Sequence, residues 1–354
     1  MECIFYLSGD FIDLGKEEVI SLFDAENSRL IGRLLIVDLK NVDSLNKSSR
    51  RLALTKGIYR LLFECSIGDL IKTMKDFGWN SVYKDDFCLR VNNLEDYNKN
   101  SIKKIRYTEK RLAGYIWSNL KNPKVNLENP KTKIELFIFN NKAYCGLLVK
   151  EIKENFESRK AHLRPFPHPS SLHPKVARAL VNISEIRENK ILLDPFCGTG
   201  GFLIEAGLMG IKSVGYDISR IMADGCKENL KHFKIKNCRI KKQNAIKIND
   251  KFDCAVTDLP YGLNSNVILQ FEKGSSKERR INKKIQKKGF VRDLERFYLL
   301  FLKSLRKKLR KKAVIVFPSY ADYRRLLRIS KFRIEKEFSI YVHRSLTRKI
   351  VKIR

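Results

Sequence analysis

The sequence predicts an α/β protein in two parts: N-terminal α+β layers, then a doubly wound, mainly parallel sheet. Two observations carry this. In the first 150 residues, strand-like runs follow one another without a helix at every step, which suits layered sheet and helix. From about Lys190, short apolar strands and helices alternate, as in crossover-connected parallel sheets. Between the two parts, RPFPHPSSLHP (164–174) is crowded with turn-formers, and Pro174 suits the first turn of a helix reaching about Ser184.

In the first part, strands are expected at Leu34–Asp38, Asp86–Val91, Lys133–Phe139 and Lys142–Val149, the last two joined by a hairpin at Asn140-Asn141. A helix is expected over Thr108–Leu120, where Leu112, Ile116 and Leu120 recur every fourth residue with Trp117 beside them. In the second part the expected strands are Lys190–Asp194, Lys212–Asp217, Asn237–Lys241, Phe252–Asp258 and Ala313–Phe317. Helices are expected after the glycine-rich turn that follows Asp194, over Ser219–Phe233, and over Val291–Arg310 with Leu294, Phe297, Phe301, Leu305 and Leu309 on one face. Phe332–Val342 and Leu346–Ile353 form a closing hairpin.

Charge narrows the class. The 354 residues hold 72 Lys and Arg against 39 Asp and Glu, a net charge of +33. Such a chain repels itself unless a polyanion compensates, which points to nucleic acid. The segment from Ser265 onward carries 28 basic and 7 acidic residues, seven of the basic ones in KSLRKKLRKK (303–312). Phosphate-backbone contact is expected of this quarter, and a mobile basic loop over 264–289. The longest apolar run has six residues (297–302), far below the roughly 20 of a membrane span. No signal peptide is read. The eight cysteines are scattered without CxxC or zinc spacing, so no metal site is expected and a cytoplasmic, reducing location is. His168 and His173 lack a base-and-nucleophile partner and are assigned structural roles.

Two motifs carry chemistry. Asp194-Pro-Phe-Cys-Gly-Thr-Gly-Gly201 stands between a strand and a helix, where glycines let backbone N–H groups approach a ligand. A tight turn alone would look similar, but Asp217 ends the next strand, placed to accept hydrogen bonds from a ribose diol. There is no P-loop, and an acidic turn disfavours pyrophosphate. A zwitterionic, cationic nucleoside such as S-adenosyl-methionine fits, held by Asp194, Pro195, Cys197, Gly198, Gly200 and Asp217. Cys197, inside this motif, is read as a small packing residue and not a nucleophile. Thr257-Asp-Leu-Pro-Tyr-Gly262 ends the fourth strand. Asp258 and the Leu259 carbonyl can accept the two N–H groups of an exocyclic amine, and Pro260-Tyr261 can shape and stack the base.

DPFCGTGG and DLPYG, together with RPFPHPSSLHPKVARALVNIS (164–184), GFLIEAGLMG (201–210) and HRSLTR (343–348), closely resemble the archaeal tRNA guanine-N2 methyltransferases that modify guanosine 10. The resemblance implies a ferredoxin-like segment (1–60), a THUMP RNA-binding domain (61–155), a linker and leading helix (156–185) and a Rossmann-fold methyltransferase domain (186–354). It implies N2-methylation, once or twice, at guanosine 10, with the tRNA acceptor end held by THUMP. Methylation of tRNA position 6 or ribosomal RNA, and a non-catalytic RNA-binding role, are the alternatives; need for a small partner subunit is not legible. The family's DPPYG is DLPYG here, and an expected acidic residue near the adenine amine is Asn244, whose amide oxygen could accept that bond.

Overall fold

The computed structural model describes residues 1–40, 43–95, 100–168, 171–261, 283–343 and 346–354, in two units, Met1–Lys153 and Glu154–Arg354. Residues 264–282 of the expected 264–289 loop, and residues 169–170, 262 and 344–345 of the quoted motifs, lie outside the described residues.

The first unit comprises β1 (Glu2–Leu7), α1 (Ile12–Phe23), β2 (Ser28–Ile31), β3 (Leu34–Asp38), α2 (Asp43–Ser48), β4 (Thr55–Ser66), α3 (Leu70–Asp76), β5 (Phe87–Asn93), α4 (Asn100–Ser118), β6 (Thr132–Phe139) and β7 (Lys142–Glu151). One seven-stranded sheet, β2-β3-β1-β4-β7-β6-β5, runs through it. The expected small layers are thus one sheet. The reason is β4, twelve residues long, which pairs with β1 on one side and β7 on the other. The Asn140-Asn141 hairpin forms as expected, both residues holding positive φ (48° and 57°), the geometry of a two-residue turn matched to strand twist. Leu112, Ile116 and Leu120 are buried as expected, but Trp117 is 49% exposed and does not share their face.

The second unit comprises α5 (Pro174–Ile183), β8 (Ile191–Asp194), α6 (Gly201–Leu208), β9 (Lys212–Asp217), α7 (Arg220–His232), β10 (Cys238–Lys242), β11 (Cys254–Asp258), α8 (Lys283–Lys308), β12 (Ala313–Pro318), α9 (Tyr323–Ile329), β13 (Ile334–His343) and β14 (Leu346–Ile353). Its sheet order is β10-β9-β8-β11-β12-β14-β13. Strands β10 to β12 are parallel and β14 returns antiparallel to β12. The order reverses between β8 and β11, so the chain opens a crevice there, the place where doubly wound sheets bind ligands. Helix α8 covers one face with Leu294, Phe297, Phe301 and Leu305 buried. It starts eight residues before the expected Val291, so 283–289 are helical and not part of a loop.

Much of the basic run is tied down within the unit. Lys312 pairs with Glu185 (2.7 Å) and Glu335 (2.9 Å), Arg310 lies 3.6 Å from Asp253, and Arg306 covers the Phe332 ring. Phe252, expected in a strand, instead bridges Leu309 ahead of β11, so the run ends at the N-terminal ends of the strands. Among the described residues no helix is long and apolar enough to cross a membrane.

The segment that leads into α5 is anchored by charge. Glu205 on α6 is fully buried and takes Arg159 Nε and Arg178 Nε, both at 2.8 Å, while Glu154 reaches the same two guanidinium groups. Removing one partner of such a set strands buried charge. Glu205→Ala is expected to destabilise the protein by about 3–5 kcal/mol, measured as a lowered urea midpoint; an unchanged midpoint would contradict the anchoring.

Candidate active site

Asp217, Asp194 and Asp258 are the last residues of β9, β8 and β11, three neighbouring parallel strands. Hydrophobic burial of those strands therefore brings three carboxylates to one edge, on either side of the crevice. Asp194 is 1% exposed. Its carboxylate accepts from the Thr257 hydroxyl (2.9 Å) and the Phe196 N–H (3.3 Å), which fastens the first motif to the strand that carries the second. Burial pushes the Asp194 carboxyl up to about 8, the two bonds opposing and the Asp217 and Asp258 charges adding. Asp217 is also raised, chiefly by burial. A corner of buried carboxylates that resist ionisation favours a cation in their midst.

The turn after β8 takes its shape from glycine. Gly198 holds φ +48°, and a Cβ there would meet nothing within 4 Å, so its face is open. Its N–H donates to Asp217 (3.0 Å), as does Ser219 N–H (2.8 Å), which closes the loop against β9. Gly200, at φ +89°, caps α6, and a Cβ there would lie 2.7 Å from the Cys226 sulfur. Pro195 and Cys197 are buried beneath the loop; Cys197 packs with Leu203, Ile204, Cys226 and Leu230 and its N–H donates to Tyr216 O, a packing role. Asn244 sits after β10, where Gln243 N–H bonds Asp217 O; its own side-chain oxygen accepts from Ile246 N–H (3.0 Å) and so shapes the turn.

One residue the sequence reading passed over ties this corner together. Asn229 on α7 is fully buried. Its amide bonds the N–H and carbonyl of Phe166 and the Thr199 carbonyl, all at 3.0 Å. The Phe166 ring lies where a Cβ on Gly225 would be, and Ser171 meets Thr199 hydroxyl to hydroxyl at 3.3 Å. Phe166 and Ser171 are thereby held to the glycine loop. A polar residue in the apolar stripe of α7 was the available signal. Beside Gly201, both terminal nitrogens of the buried Arg164 lack a partner among the described residues, a donor pair suited to a ligand carboxylate. The carboxylate corner, the open Gly198 face and this guanidinium together fit S-adenosyl-methionine. His173 caps α5 through Lys175 N–H and reaches Glu157, a structural role as expected.

The second motif continues from β11. Leu259 is 1% exposed, packed in the core with Phe297 and Tyr298, and its N–H donates to Val316 O at 3.1 Å, a bond proline could not make. The next ladder donor in register toward the Leu259 carbonyl belongs to residue 318, a proline, so the carbonyl receives no bond among the described residues. The neighbouring carbonyls are taken: Tyr298 donates to Pro260 O and Tyr320 to Tyr261 O, each at 2.6 Å. Asp258 keeps 19% of its side chain exposed. Burial lifts its carboxyl to about 6 against the pull of Arg348 and a hydrogen bond from the Tyr261 hydroxyl.

Residues 161–266 match the RMKL-like methyltransferase domain family and residues 66–148 the THUMP domain family. The chain is 32% identical over 307 residues to a tRNA (guanine(10)-N2)-dimethyltransferase of Methanothermobacter thermautotrophicus, spanning 85% of this chain and 82% of that protein. It is 29% identical over 343 residues to the protein of the same description from Pyrococcus abyssi, spanning 95% and 94%. The crystal structure of TrmN from Thermus thermophilus shares the fold, with TM-score 0.52 at 16% identity over 100% of this chain and 99% of that one.

The two loop glycines differ in what a side chain would meet. Gly200→Ala is expected to cost about 1–3 kcal/mol of stability through overpacking on top of backbone strain, and Gly198→Ala about 1–2 kcal/mol through strain alone. Calorimetry of both variants checks this; equal losses would mean that the Cys226 contact is relieved at no cost.

Proposed function

The chain belongs to the tRNA (guanine(10)-N2)-dimethyltransferase family, and we propose that it methylates guanosine 10 of tRNA at N2 with the residues assembled at this sheet edge. Asp194, Pro195, Cys197, Gly198, Gly200, Asp217 and Asn244 form the cofactor side; Asp258, Leu259, Pro260 and Tyr261 form the base side. When bound, S-adenosyl-methionine supplies a methyl carbon activated by its sulfonium. The observation that supports this reading most strongly is the pair of acceptors at the corner, an accessible Asp258 carboxylate beside a Leu259 carbonyl that has no ladder donor.

A guanine amine is a weak nucleophile because its lone pair is delocalised into the ring. Two acceptors on its two N–H groups turn the lone pair toward the methyl, and positioning of this kind supplies much of the rate. As the N–C bond forms and the C–S bond breaks, the nitrogen sheds a proton to Asp258 or water. The base must leave its stack to reach the corner. Tyr261 then gives up its bond to Asp258, so that its hydroxyl keeps the amine's place until the base arrives and its ring is free to stack on it.

The substrate also engages parts beyond the catalytic edge. The proposed division is a ferredoxin-like segment (1–60), THUMP (61–155), linker and leading helix (156–185) and methyltransferase domain (186–354), with the acceptor end of the tRNA on THUMP. Phosphate contact by the basic C-terminal quarter falls to those side chains not already paired, such as the exposed Lys303, Lys307 and Lys311. A reducing cytoplasm suits the scattered free thiols.

Asp258→Ala is expected to lower methyl transfer by at least about 100-fold while tRNA affinity changes little. Mass analysis of tRNA nucleosides and positional mapping would show one or two methyls on N2 of guanosine 10; wild-type turnover by the variant, or methylation elsewhere, would overturn the reading. Pro318→Ala restores an N–H in register with the Leu259 carbonyl and is expected to reduce kcat/KM about two- to tenfold, the worth of one hydrogen bond. Unchanged kinetics would mean that this carbonyl does not receive the amine.

A further inference from the structure

We propose that Arg348 is a positioning residue for methyl transfer: from the antiparallel strand β14 it holds Asp258 in the ionised, amine-accepting state. This rests on the reading above, in which Asp258 receives the amine, and adds a residue that no motif role had claimed.

The placement follows from register. Arg348 lies directly opposite Pro318 in the β12–β14 pair, and Pro318 stands one step beyond the residue that follows Val316, the partner of Asp258. The last strand therefore carries Arg348 to the catalytic edge. Its Nη2 is 3.5 Å from Asp258 Oδ2, its Nε donates to the Tyr261 hydroxyl at 2.9 Å, and the guanidinium carbon is 5.8 Å from the Tyr261 ring centre. The side chain is 12% exposed, so solvent screens the pair little.

The groups that face Asp258 from the surrounding elements are Asp194 on β8, reached through Thr257, Tyr261 on its own turn, Tyr298 on α8 and Arg348 on β14. Of these, Arg348 alone is cationic. Burial raises the Asp258 carboxyl, and the Arg348 charge is the leading influence in the opposite direction, ahead of the Tyr261 hydroxyl. When a base displaces the Tyr261 hydroxyl, that smaller contribution is lost and Arg348 remains. A protonated Asp258 would present an O–H and could not accept the amine through that oxygen. The charge on Arg348 thus sets the pH below which the corner fails.

The test is the pH profile of kcat/KM for methyl transfer to a tRNA transcript, from pH 5.5 to 9.5, in the full-length protein. For Arg348→Gln the acidic limb is expected to move up by about 1–2 pH units, the usual effect of one adjacent opposite charge on a carboxylate. With Asp258 at about 6, the loss at pH 6.5 would be about 3- to 25-fold, and at pH 9 nearly all of it would be recovered. Arg348→Lys, which keeps the charge, is expected to leave the limb within about half a unit of wild type. Arg348→Met, which keeps the apolar stem, carries the same expectation as Gln should Gln not fold; melting temperature and S-adenosyl-methionine affinity of each variant report folding.

A loss of equal size at every pH would overturn the proposal, because a scaffold role or a phosphate contact would produce it. So would a limb that moves by more than one unit in Arg348→Lys. These results are separable from failure of the underlying reading, which would show as absent guanosine methylation in the wild type or full activity in Asp258→Ala.

Discussion

Desolvation of three carboxylates at one sheet edge is the constraint around which the second unit is arranged. Parallel strands β9, β8 and β11 are largely buried and end in Asp217, Asp194 and Asp258. Burying the strands drags the acids to the margin of the core, where ionisation is costly: burial puts Asp194 at about 8 and Asp258 at about 6. Each is then given a different compensation. Asp194 has the Thr257 hydroxyl, Asp217 has the backbone N–H groups of Gly198 and Ser219, and Asp258 has Arg348. A cation bound between the first two would relieve what those bonds leave uncompensated, which is the physical preference expected for a sulfonium nucleoside.

The catalytic corner is not the work of its own motif alone. Leu259 buries its side chain in the core and contributes to Val316 an N–H that a proline in its place would lack. What it loses in turn rigidity is offset by a ladder bond. Proline appears across the ladder as Pro318, whose missing N–H leaves the buried Leu259 carbonyl without a ladder donor. Pro318 of β12 and Arg348 of β14 form one cross-strand pair, so this pair serves both acceptors, β12 by withholding a donor and β14 by supplying charge.

Helix α7 performs the equivalent service for the cofactor side. Its cap, Ser219, touches Asp217, and three turns later Asn229 bonds both the 164–168 segment and the glycine loop. Small residues clear the way, since Gly225 makes room for Phe166 and Gly200 for Cys226. Segments far apart in sequence thereby share one buried amide. In the first unit β4 has a comparable part, pairing with β1 on one side and β7 on the other within a single sheet.

The sequence by itself determined the doubly wound, mainly parallel class of the second part, the two motifs at strand ends and the acidic character of the corner. Those features follow from local rules: alternation of short apolar strands with amphipathic helices, glycine at positive φ, and acids at the ends of buried runs. Leu112, Ile116 and the Asn140-Asn141 turn were legible for the same reason. Only the tertiary structure decided that Trp117 faces outward, that Lys312 and Arg310 spend their charge on Glu185, Glu335 and Asp253, and that Asn229, Pro318 and Arg348 belong to the site. Each of these depends on a partner dozens of residues away, fixed by strand register and helix packing. Composition and spacing carry no record of such distances.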